Sequence, residues 1–326
     1  MRAALSCLRV AALAACVWIL ASGHNSAAET IDLELTAVHL DFEDSTRDRL
    51  GRLQYRGGFS LKSSNRNFGG LSGIVVSDYE LTAVTDRGFW FRAHLDADSE
   101  GRLVGIRDSS LSPILSSKGE VLSIQRGEHD AEAVERWNGK FAVSFERFHR
   151  IGLYDPAEGD QGRPSYIDGL QLARQPPNGG IETLVSLGDG RLLALSEEME
   201  ATPESLMGWL IDGNQRTTVR YPKSRWKPTD AAFHPDIGIL VLERRFSGLG
   251  GFSARIRKID PATVVPDAML GGPIVATFES PTITDNFEGL AISQDGPGSI
   301  TVWILSDDNF NFLQRTLLLA FRWIVD

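Results

Sequence analysis

The sequence predicts an all-β chain folded as a β-propeller of four-stranded antiparallel blades. Three observations predict it. Short runs rich in Val, Ile, Leu, Phe and Trp, among them "LTAVTD", "FAVSFE", "RLLALSEE" and "GILVLER", alternate with Gly, Asn, Asp and Pro, and long helical periodicity is hard to find past the first residues. One motif, an acid at the head of an apolar strand, recurs along the chain. Its copies begin roughly 50–60 residues apart, a spacing that signals stacked or radial repeats.

Residues 1–28, "MRAALSCLRVAALAACVWILASGHNSAA", read as a secretory signal peptide. Arg2 and Arg9 give a positive n-region, residues 10–21 an apolar core, and Ser26-Ala27-Ala28 a small-residue cleavage site. The apolar run is short for a membrane span, and no later stretch is long and apolar enough to form a transmembrane segment. Leu13-Ala14-Ala15-Cys16 offers an alternative, a lipoprotein anchored at Cys16, but Val17-Trp18-Ile19-Leu20 carries the apolar core past that cysteine. The expectation is a protein secreted to a bacterial periplasm, with 29–326 as a single propeller domain.

Both cysteines, Cys7 and Cys16, lie in the leader, so the remainder has no disulfide, thiol nucleophile or thiolate metal site. Loss of the leader removes two arginines and no acid, which moves the net charge from −10 to −12. That balance argues against nucleic acid or an anionic membrane as partner and suits a cation, or a substrate held through one.

The five units are "GGLSGIVVSDYELTAVTDRG" (69–88), "DAEAVERWNGKFAVSFERF" (130–148), "GGIETLVSLGDGRLLALSEE" (179–198), "TDAAFHPDIGILVLERR" (229–245) and "NFEGLAISQDGPGSITVWILSDDN" (286–309). Each reads polar or acidic residue, small residue, apolar strand, turn, apolar strand, then an acidic pair or an acid beside arginine. Room for two further strands follows each unit, which completes a four-stranded blade. The last unit shows three clear strands, ending in "TLLLAFRWIV" (316–325), and "RLGRLQYRGGFSL" (49–61) is the segment that would supply the missing outer strand and lock the ring. Five blades are favoured, with six as the alternative if residues 30–60 form more than one strand.

In a propeller the first strand of each blade lines the central channel and the second runs back beside it. The head of the first strand and the end of the second therefore share one face. This predicts a ring of Ser72, Glu132, Glu182, Asp230 and Glu288 at the channel mouth, with Asp86, Glu146, Glu197, Glu243 and Asp307 beside it and Arg87, Arg147, Arg244 and Arg245 interleaved. So much negative charge requires compensation, by arginines or by a hard cation such as calcium. The competing expectation is structural: the acids accept backbone N–H bonds and hold the ring closed. No organic-cofactor motif, P-loop, H-E-x-x-H, EF-hand loop or G-x-S-x-G elbow is present. His149 and His234 are weaker candidates for acid/base work.

The stretches "FGGLSGIVV…LTAVTDRG", "DAEAV…FAVSFER", "GGIETLVSLGDGRLLALSEE" and "NFEGLAI…ILSDDNFN" resemble the bacterial phytase-like family, also described as having esterase-like activity of phytase. The resemblance runs from about residue 48 to 325, with Thr85 where serine is usual and Ala133 and Thr183 where glycine is common. It implies an ester or phosphoester hydrolase on a β-propeller, with calcium held by rim carboxylates in the manner of propeller phytases. On that reading Glu132, Glu182, Glu288 and Asp86 are the expected catalytic groups. Arg87, Arg147 and Ser72 would bind a small-molecule ester or phosphoester, and Asp230, Glu146, Glu197, Glu243 and Asp307 would hold metal. The alternative is a noncatalytic envelope propeller whose acidic ring is purely structural.

Overall fold

The computed structural model describes residues 28–325 except 249, 297 and 298, so the leader and the Cys16 alternative fall outside the described residues. Among the described residues no helix is long and apolar enough to cross a membrane. The chain forms five antiparallel sheets, and the first strand of each sits at the inner edge. These inner strands, Leu71–Ser77, Ala131–Trp137, Ile181–Ser186, Lys227–His234 and Phe287–Gly296, pack each beside the next and the last against the first. The ring is closed and has five blades.

Turn chemistry sets the hairpins. Asp78 and Tyr79, both at positive φ, join Leu71–Ser77 to Glu80–Thr85 through a two-residue loop. Asn138 and Gly139 do the same between Ala131–Trp137 and Lys140–Phe145. Two successive positive-φ residues match the right-handed twist of the flanking strands, which is why Asn-Gly suits this place.

Blade five is completed by the N-terminal segment. Leu53–Lys62 pairs antiparallel with Thr316–Trp323, the closure expected from the sequence. Residues 30–60 do form more than one strand, yet no sixth blade results. Glu34–Ala37 and Arg49–Leu50 pair onto Leu53–Lys62, extending blade five outward. Glu29–Thr30 adds an edge strand to Leu103–Pro113 of blade one.

The core is distributed between blades, because a flat sheet in a ring buries both faces against its neighbours. Five buried apolar clusters occupy the five interfaces. Leu240 and Leu242 of blade four meet Leu290 and Phe321 of blade five. Leu305 and Leu318 of blade five meet Ile74 and Phe91 of blade one. The second strands, such as Glu80–Thr85 and Lys140–Phe145, are accordingly buried almost end to end, which explains their near-continuous apolar sequence.

Candidate functional site

A repeated backbone irregularity builds the site. Near its head, the inner strand of each blade carries a bulge, where one residue drops out of the ladder. The residues skipped are Ser72, Glu132, Glu182, Thr229 and Glu288. A bulge re-aims the extra side chain away from the sheet, in blades one, two, three and five toward the channel mouth. The residue two positions earlier then accepts a bond from the end of the second strand: Asp86 N–H donates to Gly70 O (2.9 Å), Glu146 to Asp130 (2.8 Å), Glu197 to Gly180 (2.9 Å) and Asp307 to Asn286 (2.9 Å). Head and tail of each hairpin are thereby fixed side by side.

Blade four obeys the same rule one residue out of step with the sequence motif. Pro228 pairs with Glu243 and Asp230 with Leu242, so Thr229 takes the bulge position and Arg244 the position of Asp86, Glu146, Glu197 and Asp307. The expected places of Asp230 and Glu243 on the rim are corrected by this shift, since one residue along a strand turns a side chain to the opposite face. Asp230 is fully buried between blades, where its two oxygens accept the N–H groups of Ala231 (2.8 Å) and Leu290 (2.7 Å). Glu243 is buried against Arg255, Arg257 and the Tyr221 hydroxyl, which donates to it at 2.8 Å. Neither lines the channel mouth.

What does line it is a polar cavity of about 300 Å³. Of the residues expected there, Ser72, Asp86, Glu132, Glu146, Arg147, Glu182, Glu197, Arg244, Glu288 and Asp307 are brought together, whereas Arg245 lines a neighbouring cavity. Arg87 is not among them: its guanidinium stacks on the Phe310 ring, 3.3 Å from the centroid, and donates to Arg66 O. Of the histidines, His149 lines a separate cavity beyond Arg147 and hydrogen-bonds Pro176 O at 2.8 Å. His234 sits by the turn at the far end of its hairpin.

Four lining residues escaped the sequence reading: Asp130, Asn178, Gly179 and Asn309. Asp130 opens the second unit and stands where other units have Gly70, Gly180 or Asn286. An acid two residues before the bulge, found in no other unit, was the available signal. It pairs with Arg147. Asp130, Glu132 and Glu146 each offer an oxygen, and these oxygens lie within 4.8 Å of one another.

Eight carboxylates and two arginines thus face one small cavity. Burial, reinforced by the neighbouring charge of Asp130, pushes Asp86 up to about 8. Burial and mutual repulsion hold Glu132, Glu182 and Asp307 well above the ordinary carboxylate range. Glu146 is raised by burial as well, against the opposing pull of the Gly180 and Gly179 N–H groups that it accepts. Glu288 is raised by burial but moderated by Arg244, which contacts both Glu288 and Asn286 and reaches Glu197 at 3.2 Å. Burial opposes the Arg244 charge, yet Glu288, Glu182 and Glu197 hold its pKa above the usual arginine value. Glu182 is only 9% exposed and forms no hydrogen bond or ion pair among the described residues.

The donor set could hold a metal ion: it is all oxygen, three ligand atoms converge, and Glu182 stands unpartnered at the same cavity.

Comparison with known proteins gives the fold and the family. The α-L-arabinofuranosidase PaAbf62A from Podospora anserina, solved with cellotriose, superposes with a TM-score of 0.50 at 12% identity, over 83% of this chain and 97% of that one. A glycosyl hydrolase from Bacteroides ovatus superposes with a TM-score of 0.41 at 10% identity, over 84% of this chain and 94% of that one. At 12% identity the likeness to the arabinofuranosidase is one of fold. No curated protein matches the chain. The family model for Phytase-like proteins, described as esterase-like activity of phytase, matches residues 66–310, which takes in every residue of the mouth. The chain belongs to the Phytase-like family.

Proposed function

We propose that the protein is an exported hydrolase of small esters or phosphoesters, assisted by a cation at the channel mouth. The observation that carries this reading is the convergence of the Asp130, Glu132 and Glu146 oxygens within 4.8 Å in a cavity walled by further carboxylates. These three residues would hold the cation, with Asp86 or Asp307 as neighbouring donors. Calcium bound there would offset the clustered charge and acidify a coordinated water. Glu182, buried and unpartnered with its pKa held high, is suited to take a proton from the attacking water, with Glu197 and Glu288 as its charged neighbours. Arg147 and Arg244 are the two cations on the wall, placed to face an ester's developing negative charge, and the Ser72 hydroxyl is a further donor.

The test is a screen of aryl acetates and aryl phosphates with and without added calcium. Turnover that rises with calcium and is lost in Glu182→Gln and Glu132→Gln supports the reading. Turnover no greater than the buffer blank across the screen sinks it.

A second reading, a noncatalytic envelope propeller, is favoured by one observation. Glu146 already accepts the N–H groups of Gly179 and Gly180 across the boundary of blades two and three, a tie that needs no ligand. It predicts that Glu146→Ala lowers the melting temperature and that calcium leaves it unchanged.

A further inference from the structure

The mouth does not end at its acidic wall. Glu197 and Arg244 also line a neighbouring cavity of about 490 Å³, which adds Arg225, Lys227, Arg245 and the ring pair Phe246–Phe252. Phe246, Phe252 and Gln314 in turn line a third cavity of about 590 Å³, shared with Phe42, Leu313 and Arg315. The lining residues come from strands Leu192–Thr202, Gly238–Ser247 and Gly251–Ile259 and from the turns before Lys227–His234, Phe287–Gly296 and Thr316–Trp323, at the end of the ring where the inner strands begin. The three cavities therefore run as one track on one face: acidic at the mouth, basic beside it, apolar at the far end.

The charges and exposures of this track call for a ligand. Lys227 pairs with Glu198 and Arg245 with Glu279, at 2.9 and 2.6 Å, both at the margin of the basic section. Arg225 makes no ion pair among the described residues, and Arg245 Nε has no hydrogen-bond partner. Beyond them, Phe246 is 64% exposed and Leu313 is 76% exposed. Large apolar side chains grouped on one surface are a recognition feature, whereas scattered ones are not.

We propose that this track binds an amphiphilic anion: an ester whose anionic group lies against Arg225 and Arg245 and whose apolar tail lies over Phe246 and Leu313. The proposal rests on the hydrolase reading for the identity of the reacting end, which would sit at the mouth beside Arg244. The anion would gain charge-assisted hydrogen bonds, and the tail would cover apolar surface that now faces water.

Calorimetric titration of the purified protein with octyl phosphate, inorganic phosphate and octanol tests this directly. Octyl phosphate is expected to bind at least about tenfold more tightly than either fragment. Phe246→Ala combined with Leu313→Ala removes that advantage and leaves phosphate binding alone. Arg225→Ala, a change at an exposed side chain with no fold to support, weakens octyl phosphate and phosphate alike. Octyl phosphate binding no better than phosphate overturns the proposal, as do variants that bind like the parent protein. Retention on anionic phosphatidic acid vesicles without binding of monomeric octyl phosphate also overturns it, in favour of a membrane surface. The two readings fail separately: octyl phosphate binding with no ester turnover would leave the track standing and remove the hydrolase. Ester turnover with no preference for the tail would do the reverse.

Discussion

Arg244 pairs with Glu288 across the boundary between blades four and five, from the position where every other blade places a carboxylate. One arginine therefore serves as the built-in counter-charge for Glu288 and Glu197 and faces Glu182. The ring is divided as a result: around blade two, where Asp130, Glu132 and Glu146 cluster, the counter-charge is the largely exposed Arg147, which pairs with Asp130.

Replacing Arg244 by Gln should therefore be costly, because both partners remain buried without compensation. Breaking a buried pair in this way typically removes about 3–5 kcal/mol. The loss should be largest at pH 7 and smaller at pH 5, where protonation relieves the orphaned carboxylates. Chemical denaturation of Arg244→Gln and the parent at both pH values measures it. An equal loss at the two pH values would mean that packing, not charge, is what Arg244 supplies.

The same logic sets the pH dependence of the parent protein. Asp86 titrates at about 8 in the folded state against 3.8 for an unperturbed aspartate, and Glu132, Glu182 and Asp307 are shifted in the same direction. A carboxyl whose folded pKa lies above its unfolded one binds more protons when folded. Stability is thus full below the unfolded value and falls as pH rises toward the folded value. In chelator, the melting temperature is expected to decline steadily between pH 5 and pH 8. Calcium should flatten that decline, since a ligand bound only by the folded state stabilises it and replaces the retained protons. A melting curve in chelator that does not move from pH 5 to pH 8 would contradict the clustered-charge account.

Most of the architecture was legible because it repeats. In blades two, three and five a bulged acid heads the inner strand and a second acid closes the hairpin, Glu132 with Glu146, Glu182 with Glu197 and Glu288 with Asp307. The closing strand was legible because blade five lacked one. Blade four was misread for a physical reason. Its "TDAA…LERR" contains an acid at both expected places, but the bulge falls on Thr229, and a ladder displaced by one residue exchanges the channel face for the interior. Sequence offset cannot distinguish these two registers; hydrogen bonding does. Arg87 was misplaced by a different cause, since its stacking partner Phe310 lies in the loop between Ser299–Ser306 and Thr316–Trp323 of blade five, remote in sequence.

Closure by the N-terminal strand makes the fold depend on residues far from the site. Leu53–Lys62 covers the outer edge of Thr316–Trp323, and Leu53 and Leu61 are buried in the clusters on either side of blade five. A chain beginning after residue 62 loses both the ladder and this apolar cover. It is expected to be insoluble or to lose cooperative melting, even though every lining residue of the mouth is retained. Adding residues 29–62 back as a separate peptide should restore a cooperative transition in proportion to its concentration. A truncated chain that melts cooperatively alone would show that closure is dispensable.

Asp230 offers the sharpest separation of scaffold from site. Its carboxyl is buried, its pKa is driven up first by desolvation, and its oxygens hold the Ala231 and Leu290 N–H groups at the seam of blades four and five. Asp230→Ala leaves two buried donors unsatisfied and should cost about 2–4 kcal/mol. Asp230→Asn keeps one acceptor and should cost less than the alanine change. Because Asp230 does not line the mouth, calcium affinity measured by calorimetry should be unchanged in the folded asparagine variant, whereas Glu132→Gln should weaken it about tenfold or more. Weaker calcium binding in Asp230→Asn by a similar factor would return Asp230 to the metal set and remove the distinction between seam and mouth.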